Sequence, residues 1–101
     1  MTEQINDKVI LEVIDRGLAA LGESPKHALW YCLEKDFKLT RQNIPRNLEV
    51  FEKSLQGFFG LGYNFLEDLF KNYLSEKTGE TFSSQSFTEC VNLIRSKKSK
   101  P

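Results

Sequence analysis

The sequence predicts an all-α fold: a single compact domain of about five helices wrapped around a central second helix. Three observations carry this expectation. Apolar residues recur along most of the chain at intervals of three and four, the period of a helix buried on one face. Serine, asparagine and glycine stand where that period starts and stops. No stretch alternates apolar and polar residues between turn residues for long enough to specify a strand. With 101 residues, such a domain buries roughly two thirds of the surface its unfolded chain exposes and needs no covalent staple.

The first helix spans about Thr2 to Leu21, with Ile5, Val9, Ile10, Val13, Ile14, Leu18 and Leu21 as its apolar positions. Gly22 stands where a left-handed residue ends a helix. Only Glu23 separates it from Ser24, so helices one and two meet in a very short turn. Ser24-Pro25 then opens helix two, since serine can accept from an orphan amide and proline gives up an N–H that has no intrahelical partner there. Ala28 to Leu33 is an unbroken apolar or amphipathic run that, at about 100° per residue, goes right round the helix. Such a helix calls for neighbours on several sides, which makes it the expected hub.

From Lys38 to Pro45 the period lapses, and the segment reads as a loop with one helical turn, pinned to the core by Leu39 and Ile44. Asn47 is the expected cap of helix three, whose face carries Leu48, Phe51, Leu55 and Phe58 and which Gly60 ends. Leu66, Leu69, Phe70, Tyr73 and Leu74 mark helix four, with Asn64 and Glu67 at capping-box spacing and Gly79 as its stop. Helix five has two competing starts, Ser83 with a Phe82–Phe87 staple or Ser86 paired with Glu89. Either leaves Phe87, Cys90, Val91 and Ile94 as one stripe. The domain is thus expected over residues 1–95, with 96–101 as a basic, disordered tail.

Fourteen basic and fourteen acidic side chains cancel over the chain. Arg95, Lys97, Lys98 and Lys100 gather at the end, which leaves residues 1–94 with ten basic against fourteen acidic side chains. An acidic body repels phosphate backbones, which counts against a nucleic-acid platform spread over the whole surface and leaves those four residues as the candidates. No apolar run exceeds six residues, which supports neither a membrane span nor a signal sequence and points to the cytoplasm. Cys32 and Cys90 lie inside apolar helical patterns and read as two buried thiols.

Catalysis needs convergent nucleophiles, acids or metal ligands, and the chain offers few. His27 is the single histidine and lies about 140° round its helix from Cys32, so the two do not share a metal. Neither Cys-x-x-Cys nor His-Glu-x-x-His occurs. Gly60-Leu61-Gly62 has the opening of a dinucleotide fingerprint, but Phe65 takes the third glycine position and no strand precedes it. It reads as a tight joint between helices. The acidic pairs Glu34 with Asp36, Glu49 with Glu52, and Glu67 with Asp68 lack the folded-back loop that calcium wants, so they read as solvated faces. The expectation is a non-enzyme with no catalytic residue, metal site or cofactor. Among the aromatics, Phe59 and Tyr63 flank the glycine joint and fall outside the core stripes, with Trp30 and Tyr31 next in line. These four are the expected contacts with a protein partner.

Four pieces form a wider pattern: Leu21-Gly22-Glu23-Ser24 before an apolar helix, Tyr31-Cys32-Leu33-Glu34 within it, Ile44-Pro45 in the loop, and Phe59-Gly60-Leu61-Gly62 between the later helices. In these pieces the run from Leu21 to Gly79 resembles the Nitrosopumilus output domains, a family of small archaeal helical domains. Helix five and the basic tail lie outside the resemblance. It implies a non-enzymatic output or interaction module, found alone or attached to sensory domains, with no catalytic residues to carry over. The leading expectation is therefore a cytoplasmic signalling-output module that binds a protein partner through exposed helix surfaces. The first alternative is nucleic-acid binding through Arg95, Lys97, Lys98 and Lys100, for which four phosphate contacts set a log–log salt slope of about −3.6. A weak calcium-binding domain is the third.

Overall fold

The computed structural model of the chain describes residues 6–97, and among these the regular structure is entirely helical. Helix α1 covers Asp7–Ala19, α2 Glu23–Phe37, α3 Leu48–Phe59, α4 Tyr63–Thr78 and α5 Phe87–Lys97. Two 3-10 turns, Ile44–Arg46 and Gly60–Gly62, lead into α3 and α4. The Thr2–Ile5 part of the expected first helix lies outside the described residues.

The start of α1 is closed by Asn6, whose side-chain oxygen accepts from the Val9 N–H at 3.0 Å. Ile10, Val13, Ile14 and Leu18 then face inward, and the most extensive helix contact in the chain is the one α1 makes with α4. Gly17 makes that approach close. A Cβ placed on it would stand 2.4 Å from two carbons of the Phe70 ring, so only a residue without a side chain fits here. Phe70 in turn lies 6.0 Å, centroid to centroid, from Phe51 of α3 and 5.1 Å from Phe87 of α5. All three rings are fully buried.

This aromatic group, resting on the backbone of α1, is the centre of the molecule, and it displaces the expected hub. Helix α2 buries only Leu29 and Leu33. Trp30 is half-buried, while Tyr31 and Phe37 are exposed. The apolar run of α2 is short of bulk on its outer side: Ala28 loses little by facing water, and Tyr31 carries a hydroxyl that water satisfies. A single stripe remains, and it packs on α3 and α1.

The entry to α2 also differs. Gly22, at φ +98°, is the cap, and its carbonyl accepts from the Lys26 N–H at 3.1 Å, so the helix begins ahead of Ser24. Pro25 stays within the first turn, where its missing N–H costs nothing. Further on, Leu39 and Ile44 are buried and anchor the loop as expected. Asn47 does precede α3, but its side chain donates to the Asn43 carbonyl at 2.7 Å and makes no cap bond. Helix α5 starts after Ser86 and continues through Ser96 and Lys97, two residues into the stretch read as tail.

Candidate functional site

Where α2 and α3 end and the turn into α4 begins, apolar side chains collect on the surface. The ring of Phe37, the last residue of α2, meets Phe58 edge-on at 6.0 Å, and Phe58 meets Phe59 edge-on at 6.5 Å. Leu61, in the 3-10 turn, is 88% exposed, and Phe65, in the first turn of α4, is 60% exposed. The stripe Leu48, Phe51 and Leu55 enters the core, but Phe58, one turn later, is 41% exposed because α3 has reached the edge of the domain.

Of the four residues expected to contact a partner, only Phe59 belongs to this corner, and it is half-buried. Tyr63 is 2% exposed. Helix α4 starts at Tyr63, which makes it the first member of the buried stripe Tyr63, Leu66, Phe70 and Leu74. Phe65, two residues on and about 200° round, faces outward instead. Trp30 is packed against the core beneath the Arg41 guanidinium, 4.8 Å from the centre of its ring. Arg41 pairs with both carboxylate oxygens of Asp15, and that hydrogen bonding, against the opposing effect of burial, holds the Asp15 carboxyl below its usual range. Tyr31 stands apart, 65% exposed, with the Lys35 ammonium 5.7 Å over its ring.

No family model, curated protein or solved structure matches the chain.

The reactive side chains are dispersed. Among the described residues no group of three His, Cys, Asp or Glu side chains converges to hold a metal, and none of the helices is long and apolar enough to cross a membrane. His27 is exposed and lies 3.2 Å from Glu23 of the preceding turn. Cys32 and Cys90 are free thiols, Cys90 buried and Cys32 half-buried. Arg95, from the basic end, donates to the Pro45 carbonyl at 2.9 Å and faces Asp7 at 3.8 Å. The side chain of Lys97, and all of Lys98 and Lys100, lie outside the described residues.

A second cluster forms where α5 begins, and it involves carboxylates read from the sequence as solvated. Glu52 of α3 is 7% exposed and accepts from both the N–H and the hydroxyl of Thr88. Glu67 of α4 accepts from the Phe87 N–H at 3.1 Å; it does not pair with Asn64 as a capping box. Ser86 and Glu89 form the capping box of α5. The Glu89 N–H donates to the serine oxygen at 3.1 Å, and the Ser86 N–H donates to the Glu89 carboxylate at 2.9 Å. The Cys90 N–H reaches the Ser86 carbonyl at 2.9 Å. All four amides that a helix start leaves orphaned are therefore satisfied, two of them by acids from neighbouring helices. Burial raises Glu67 above the usual carboxylate range; the Phe87 amide opposes that shift and Glu52 reinforces it. Tyr63, buried beside both acids, has its phenol ionisation pushed far up, by burial first and then by Glu52 and Glu67.

Proposed function

We propose that this chain is a non-enzymatic, cytoplasmic interaction module of the signalling-output kind, and that it binds a protein partner through the corner formed by Phe37, Phe58, Phe59, Leu61 and Phe65. The observation that carries this reading is the exposure of Leu61 and Phe65 in the turn and helix start that follow the Phe37–Phe58–Phe59 row. A lone exposed leucine is ordinary, whereas large apolar side chains grouped on one corner mark a contact surface. Covering such a side chain completely contributes about 1.5–3 kcal/mol, so a partner that seats on even two of them gains a useful share of its binding free energy. Lys38, Gln56 and Asn64, their sequence neighbours, are exposed and supply a polar rim. Phe59-Gly60-Leu61-Gly62, one of the pieces that resembles the output domains, lies in this corner, in keeping with the role the resemblance implies.

Photo-crosslinking in the cells that make the protein tests the proposal, with p-benzoylphenylalanine placed at Leu61, at Phe65 and, as a control, at the exposed Asn72 of α4. The expected result is a protein adduct from positions 61 and 65 that is lost on Phe58→Asp. Adducts no stronger than those from position 72 would overturn it.

A further inference from the structure

The seat of α5 brings two carboxylates to the start of one helix. Phe87 and Thr88 are adjacent, so the Glu67 and Glu52 oxygens that accept from their amides are held close together. The groups facing Glu67 are Glu52 from α3, Tyr63 and Lys71 from its own helix, and the Phe87 amide and the Cys90 thiol from α5, with Glu89 next to that thiol and bonded to the Ser86 N–H. Lys71 acts on Glu67 from one turn away but directs its ammonium to the Ser83 carbonyl at 2.7 Å. A like charge beside a partly buried carboxyl favours its protonated form, and for Glu67 that effect adds to burial.

We propose that this seat is a proton-dependent latch: Glu67 docks as the neutral acid, donating its O–H to Glu52 while its other oxygen accepts from Phe87, and its ionisation loosens the first turn of α5. The proton passes to solvent on the half-exposed side of Glu67. What remains is a pair of like charges against a helix start that can neutralise only part of them. The direction follows from linkage. Glu67 is raised in the folded chain, so its stabilising contribution is complete below the ordinary glutamate value of 4.5 and is lost as pH rises through the raised value. Asp15 and Glu12, held low by Arg41 and Lys77, act in the opposite sense and lose their contributions in acid. A readout local to α5 separates the two effects.

The experiment is an NMR titration of the whole chain between about pH 4 and 8, following the Glu67 side-chain carboxyl carbon and the hydrogen-exchange protection of the Phe87 and Thr88 amides. The expected result is a Glu67 midpoint above 4.5, with protection at both amides falling about tenfold for each pH unit of displacement. Glu67→Gln keeps an acceptor for Phe87 and a donor for Glu52 but cannot ionise, so its protection does not fall as pH rises. A wild-type midpoint at or below 4.5 overturns the latch, and that titration decides the matter even if the variant does not fold. Protection in Glu67→Gln that falls with pH as it does in the wild type also overturns it.

Discussion

Gly17 is the residue on which the packing of α1 turns, and it acts by having nothing to add. With two ring carbons of Phe70 already 2.4 Å from where a Cβ would be, Gly17→Ala forces the ring or the helix to shift. The expected cost is about 1–3 kcal/mol by urea denaturation, although alanine is the better helix former by roughly 1 kcal/mol. The sign of this single measurement therefore tells tight packing from helix propensity. A glycine inside a helical period is a visible signal of close approach, but a sequence does not name the ring that fills the space. Tyr63 is a different case: its spacing of three from Leu66 and seven from Phe70 puts it on the buried stripe once α4 is known to start there. The glycine joint hides that start, so the sequence alone places the tyrosine at the surface.

At the level of single helices, the periods and stops in the sequence were readable, whereas contacts between helices were not. The positions of Leu48, Phe51 and Leu55 on α3, and of Phe87, Cys90, Val91 and Ile94 on α5, follow from apolar spacing alone. The stop at Gly79 does too. Between the two possible starts of α5 the structure selects Ser86, because its reciprocal bonds with Glu89 are complemented by acids arriving from α3 and α4. Ser86→Ala is accordingly expected to cost about 1 kcal/mol of unfolding free energy, and Ser83→Ala, outside the cap, no more than a few tenths. Equal losses from the two variants in thermal or urea unfolding would show that the cap is not what holds this helix start. Glu52 and Glu67 read as solvated faces in the sequence because each has a second acid on its own helix, Glu49 and Asp68, without the folded-back loop that calcium wants. Only the arrival of α5, a contact distant in sequence, turns them inward.

For the molecule as a whole, the all-helical class was evident from periodicity, and the identity of the central element was not. An unbroken apolar run suggests α2, yet burial depends on what stands opposite, and the fully buried rings Phe51, Tyr63, Phe70 and Phe87 lie on α3, α4 and α5. Phe70→Ala should therefore remove about 3–5 kcal/mol of stability, while Tyr31→Ala in the supposed hub should stay within about 0.5 kcal/mol, both read from denaturant midpoints. The fit of the Phe70 ring over Gly17 carries one more consequence. Sliding α1 by a turn in either direction would bring Val13 or Leu21 to the place where the ring now lies, so the two helices are indexed to a single register. Arg16 with Glu76 at 3.4 Å and Lys77 with Glu12 at 2.9 Å tie the rim of the same pair. Together α1 and α4 form a keyed beam on which α2 and α5 are mounted.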